Sequence, residues 1–398
     1  MNVANRVKMK DCRGQMHELS PLQRVMLRDS LAAPSAGYHV EQVEIVFTPG
    51  TWRGRVLSAW AETVAQTEAL RLSFLTDDDP RGEIEFVNSS EACQFDEGYD
   101  DSWLAKDRLR PLLIPHRAPW RAAYWPRDGR FIWTFHHALL DGRSIATVLQ
   151  NFCQRLIGQS GTNLSLTIWK KPSSAVLKQA TELFIDEYPE QDFRTLDSFQ
   201  VDTENGLALK FMGHDFRRRI DLFAAAIDVT VATILVWAWG QSLADETGVD
   251  SVMVEQVRCG APQQHKAGFI MQTLPIVIPK LSKQQDVVIS IKLFREQLLA
   301  MRAIENVTRG DFPFGVFPDV NHVGGSVIMI EHGTLQYVVG FSEMIESLVL
   351  HENKATTLSA TAHILPDLRL EVEGPRRHAM LKAWIESLQK LLTQHGRT

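Results

Sequence analysis

The chain has 398 residues, 44% hydrophobic and 23% charged, with a formal net charge of −6. This is the composition of an ordinary globular protein too long for one small core, and it predicts two lobes. The acidic balance leaves no basic footprint for a nucleic-acid partner, and no segment approaches the ~18 uninterrupted apolar residues of a membrane span.

The opening MNVANRVKMKDCRG lacks the apolar run of a secretory signal. Cys12, Cys93, Cys153 and Cys259 are far apart and form no C-x-x-C pair, so neither a zinc knuckle nor a disulfide framework is indicated, and a cytoplasmic location is expected. In LSPLQRVMLRDSL, Ser20 is a helix N-cap with Pro21 at the first helical position and Leu22, Val25 and Met26 on one face. VEQVEIVF predicts a strand, and GRVLSAWAETVAQTEAL an amphipathic helix ahead of a short strand RLSF. WRAAYWP and RFIWTFHH read as two strands joined through Arg127, Asp128 and Gly129. Next comes the helix SIATVLQNFCQRLIG, capped by Ser144, with Ile145, Val148, Leu149 and Phe152 as its apolar stripe. The polar stretch GQSGTNLS marks a lobe boundary, giving lobes of residues 1–160 and 161–398. Beyond it lie a buried helix from about Val229 to Leu243, strands SVMVEQV and TLPIVI, and a last helix from about Ala379 to Leu392. Trp237 and Trp239, two apart on a helix, cannot share a face and read as core.

The stretch FHHALLDGRS carries the densest set of reactive side chains. If RFIWTFHH is a strand, His136 and His137 point to opposite faces and cannot both serve one centre. A metal reading is weak because no third ligand falls at suitable spacing, and a serine-hydrolase reading fails for want of G-x-S-x-G. General-base work by one imidazole survives, since its unperturbed pKa near ~6.5 suits neutral pH. From local sequence alone, Asp141 is a turn or capping aspartate, and Gly142 is either a turn glycine or a residue that brings backbone N–H close to a substrate. Arg143 is either a solvated helix neighbour or a contact for a donor phosphate.

The run His136-His137-Ala138-Leu139-Leu140-Asp141-Gly142 resembles the HHxxxDG signature of condensation domains of nonribosomal peptide synthetases, in the chloramphenicol-acetyltransferase-like superfamily. LSPLQRVML resembles that family's opening S-x-x-Q motif. TEALRLSF is similar to its second motif without the histidine, and DVTVATILVWAWG with DSVMVEQVRCG to its long helix and the strand ending in arginine. AGFIMQTLPIVI is similar to its G-x-F-V-N-T-L-P motif, with Gln272 where asparagine is usual, and RGDFPFGVF resembles a later motif around Pro-Phe. Residues 166–210 carry no recognisable counterpart.

The resemblance implies an α/β (α+β) fold of two acetyltransferase-like lobes in a V, with the active site in a tunnel between them. It implies that His137 faces the tunnel as base or positioning group while His136 packs, and that Asp141 forms a buried ion pair with Arg258. Gly142 would donate to the oxyanion. Ser144, Gln272 and Thr273 would line the substrate path, although a polar pair such as Gln272 and Thr273 also serves backbone hydrogen bonds. The expected activity is that of a free-standing condensation enzyme, with no metal and no resident cofactor. Its donor would be an acyl or aminoacyl thioester on the phosphopantetheine arm of a carrier protein supplied in trans, or on coenzyme A, and its acceptor an amine or hydroxyl. An acyl-CoA-dependent O-acyltransferase of the same superfamily and a catalytically silent recruitment module are the alternatives.

Overall fold

The computed structural model describes residues 18–49, 54–74, 84–86, 92–187, 206–259, 264–307, 326–331, 341, 343–352, 358–364 and 367–395. The N-terminal MNVANRVKMKDCRG and the RGDFPFGVF motif lie outside these residues. The chain forms two compact units. One comprises Met1–Lys170, Pro262–Ile270 and Tyr337–Lys354, and the other Lys171–Ala261, Met271–Gln336 and Ala355–Thr398. A single cut at 160/161 does not describe this division, because two later segments return to the first unit.

In the first unit a five-stranded sheet runs in the order Ile345–His351, Val40–Phe47, Arg130–His136, Trp120–Trp125, Ala92–Gln94. The Trp120–Trp125 and Arg130–His136 strands pair antiparallel across the expected turn, where Gly129 adopts φ +60°. A Cβ at Gly129 would lie 2.8 Å from the carbonyl of Phe47, so glycine fits both the turn and the close approach. Helix Val56–Ala65 and helix Gly142–Leu156 pack together, and Trp60 sits at the centre of an aromatic cluster with Trp120, Phe131, Trp133 and Phe152 at centroid distances of 5.1–5.6 Å. The expected stripe of Ile145, Val148, Leu149 and Phe152 is fully buried.

Helix Pro21–Ala32 begins at Ser20 with a complete capping box: Ser20 Oγ accepts from the Gln23 amide, and Gln23 Oε1 from the Ser20 amide. Its buried face is Gln23, Met26 and Leu27, whereas Val25 is exposed. The rotation away from the apolar stripe read in the sequence follows from Gln23, whose Nε2 donates at 2.8 Å to the Ala138 carbonyl and so turns a polar residue inward.

The second unit is built on a six-stranded sheet in the order Gln272–Pro279, Ser251–Arg258, Ser326–Glu331, Leu358–His363, Arg369–Glu373, Leu207–Phe211. Helix Val231–Thr247 is buried on every side from Thr233 to Ala244 and mostly apolar there, as befits a helix at the centre of a core. Trp237 and Trp239 both belong to that core and point apart: the Trp237 indole donates to Ser290 Oγ and the Trp239 indole to Ser326 Oγ. Among the described residues no single helix is long and apolar enough to cross a membrane.

His363 is the one strongly perturbed titratable group of this sheet among the described residues. Its Nδ1 lies 3.0 Å from Glu331 and its Nε2 3.2 Å from Glu371. Burial alone would lower its pKa, but the hydrogen bonds and charges of these two carboxylates outweigh burial and hold the imidazole up to about 9.

Candidate functional site

The Arg130–His136 strand ends at His136, and His137 opens a single 3₁₀ turn, His137–Leu139. The two imidazoles do part company, but through a change of backbone at the strand end rather than through simple alternation along one strand.

His136 is buried, with 1% of its surface exposed. Its Nδ1 accepts from the Ala138 N–H at 3.1 Å, so the ring proton resides on Nε2, which donates at 2.9 Å to Ser30 Oγ. The Ser30 hydroxyl in turn donates to the Tyr38 carbonyl. Burial, then the neighbouring His39 and His137, push the His136 pKa well below the usual histidine value. It is a neutral, fully bonded structural residue.

His137 is in a different situation, with its side chain 19% exposed. Its amide donates at 2.7 Å to the carbonyl of His39, a residue held in the left-handed region at φ +57°. Its ring packs edge-on to Phe269. The Nδ1 atom lies 3.1 Å from the Leu140 carbonyl and 3.2 Å from Glu41 Oε1. Both neighbours only accept, so Nδ1 carries the proton and the lone pair of the neutral ring is on Nε2.

The following loop is locked from two sides. Asp141, not Ser144, is the N-cap of helix Gly142–Leu156, its Oδ1 accepting at 2.9 Å from the Ser144 amide. Its Oδ2 accepts at 3.1 Å from the Ile270 amide, and its own amide donates to the Gly268 carbonyl at 3.1 Å. The Ser144 hydroxyl accepts the Gly268 N–H at 3.0 Å. Segment Lys266–Phe269, itself paired in parallel with Ser165–Ile168, is thereby stitched to the HHxxxDG loop. Burial raises the Asp141 pKa, partly offset by the Ser144 and Ile270 amides. Gly142 makes no hydrogen bond through its N–H among the described residues, and a Cβ there would meet nothing within 4 Å.

The remaining expected residues belong to the second unit. Arg258 pairs with Glu305 at 3.4 Å and donates to Gln256 at 3.1 Å. Asp141 and Arg258 thus find different partners, each within its own unit. Thr273 is half-buried on the strand Gln272–Pro279. Gln272 is fully buried, yet neither Oε1 nor Nε2 makes a hydrogen bond among the described residues.

The loop therefore brings together His136, His137, Asp141, Gly142 and Ser144. Sequence reading missed three contributors. Gln23 clamps the 3₁₀ turn, Gly268 anchors the loop, and Glu41 meets the His137 ring. Gln23 and Gly268 each fall in a stretch quoted above, S-x-x-Q and AGFIMQTLPIVI, whereas Glu41 falls in none of the motifs.

No family model matches the chain. Among curated proteins it is 30% identical over 154 residues to nonribosomal peptide synthetase 30 of Fusarium vanettenii, covering 36% of this chain and 3% of that protein. It is 24% identical over 327 residues to a linear gramicidin synthase protein of Brevibacillus parabrevis, covering 73% of this chain and 4% of that protein. The chain spans between 3% and 8% of the length of the curated relatives it matches.

Among solved structures, the first condensation domain of the calcium-dependent antibiotic synthetase superposes with a TM-score of 0.75 at 14% identity, over 97% of this chain and 99% of that one. VibH, a condensation enzyme of nonribosomal peptide synthesis, gives 0.71 at 14% identity over 94% and 96%. The epimerization domain from the third module of tyrocidine synthetase B gives 0.67 at 14% identity over 97% and 98%. The chain has the condensation-domain fold. Domains named for different reactions share that fold, so the fold by itself does not fix the chemistry.

Proposed function

We propose that the chain is a condensation enzyme that moves an acyl or aminoacyl group from a phosphopantetheine thioester to an amine or hydroxyl. The observation that carries this reading is His137: a partly exposed imidazole whose Nδ1–H is held by Leu140 O, so that Nε2 is the ring atom that can take a proton. In the step envisaged, the acceptor nitrogen or oxygen attacks the thioester carbon and its proton passes to His137 Nε2. The C–S bond then breaks, and the proton ends on the departing sulfur. Products are one amide or ester and one free thiol. Gly142, with its N–H at the helix start and open space where a side chain would be, fits a donor to the developing oxyanion.

The donor in this reading rides on a carrier protein rather than on coenzyme A, and no cofactor resides in the enzyme. The experiment is mass spectrometry of an acyl-loaded carrier protein incubated with the protein and a panel of amines and alcohols. Loss of the acyl group from the carrier with matching product, abolished in His137→Ala, is the expected result. Turnover undiminished in a folded His137→Ala protein would remove the reading.

A further inference from the structure

The strand Val40–Phe47 places Glu41, Val43, Ile45 and Phe47 on one face. Val43, Ile45 and Phe47 are at most 3% exposed, and Glu41, 4% exposed, occupies the next position of that apolar series. A carboxylate there is costly unless it has a specific partner. Its Oε1 is 3.2 Å from His137 Nδ1, with Glu41 paired across the sheet from Phe135, two residues before that histidine.

We propose that Glu41 is a positioning residue for His137, sharing the Nδ1 proton with Leu140 O and stabilising the imidazolium formed when Nε2 takes a proton. A backbone carbonyl alone fixes the tautomer and the ring plane. A carboxylate also supplies a full charge that favours the cationic ring and strengthens Nε2 as a base. This rests on the reading of His137 as the proton-transfer group.

Other charged and titratable groups lie near the pair, among them Arg143, which acts on Asp141. Arg108 lies within the field of Glu41 and donates from Nε to Gln42 Oε1 at 3.2 Å. His136 is neutral. His39 is held at 2.9 Å by Asp29, and Asp141 is bound to the Ser144 and Ile270 amides. Among these, Glu41 is the carboxylate that meets the His137 ring directly.

The test is a pH titration of the His137 ring by NMR on the full chain labelled with ¹⁵N-histidine, assigned by comparison with His137→Asn. In Glu41→Gln the His137 midpoint should move to lower pH by about one unit, while Nδ1 stays protonated in the neutral ring because Leu140 O is retained. An unmoved midpoint overturns the proposal. Should Glu41→Gln fail to fold, the wild-type protein labelled at glutamate carboxyl carbons decides the matter. The Glu41 signal should step at the pH where His137 titrates, and a Glu41 signal blind to that titration overturns the proposal. In the acyl-transfer assay the acid limb of kcat/KM should shift in the same direction and kcat should fall about tenfold or more, with KM little changed. If the wild-type protein transfers no acyl group, the reaction reading falls, while the titration still decides whether Glu41 governs His137.

Discussion

Adjacent histidines of one chain sit in opposite surroundings, His136 buried and bonded at both ring nitrogens and His137 partly exposed. Replacing His137 by Ala should lower turnover by about 10²–10⁴-fold with the fold retained, whereas His136→Ala should act mainly on stability; melting curves and turnover of both variants check this together. Protonation adds a second expectation. The folded pKa of His136 is depressed, so its contribution is present above the unfolded value of about 6.5 and is lost as pH falls below it, by at most about 1.4 kcal/mol for each pH unit. His363 has the opposite sign. Its folded pKa is raised to about 9, so its contribution is complete below the unfolded value and disappears as pH rises through 9. Thermal unfolding measured from pH 5 to 10 should therefore weaken on both flanks. His136→Gln should flatten the acid flank and His363→Gln the alkaline one, and a variant that leaves its own flank unchanged contradicts the assignment.

At the level of elements, the HHxxxDG loop owes its shape to a segment far away in sequence. Gly268 is paired opposite Thr167, and a Cβ at Gly268 would lie 2.0 Å from the Thr167 carbonyl, which only a backbone shift relieves. Gly268 also bonds both Asp141 and Ser144. Gly268→Ala should therefore depress melting temperature and turnover together, and a variant with wild-type turnover would show that the loop does not depend on this clamp. Much of the local structure is legible in the sequence: the Ser20 N-cap, the turn at Gly129, the buried helix carrying Trp237 and Trp239, and the separation of His136 from His137. Each is written in neighbouring residues. The helix cap is misread as Ser144 because Asp141 and Ser144 are both competent caps, and only the geometry of the chain entering from the 3₁₀ turn chooses between them. The contacts that Glu41 and Gly268 make are not written in the residues beside them. Their roles come from pairings across about a hundred residues or more.

For the molecule as a whole, net charge bears on how the donor is recognised. A formal charge of −6 offers no general attraction to the phosphates of coenzyme A, whereas a carrier protein brings docking contacts of its own. The same acyl group should show a higher kcat/KM on a carrier protein than on coenzyme A, with one acceptor and matched salt; parity or the reverse order would point instead to an acyl-CoA-dependent O-acyltransferase. The interleaving of the two units has a different consequence, one that concerns biosynthesis. Among the described residues, strand Val40–Phe47 gains its second neighbour only from Ile345–His351, and Ser165–Ile168 pairs only with Lys266–Phe269. A nascent chain that has emerged as far as Lys170 therefore lacks the second partner of strand Val40–Phe47, and it waits about 10–35 s at ordinary rates of translation until the ribosome has released His351. Through that interval the Val40–Phe47 edge is a site for wrong pairing between neighbouring chains, so slower synthesis lengthens the exposure of this protein rather than shortening it.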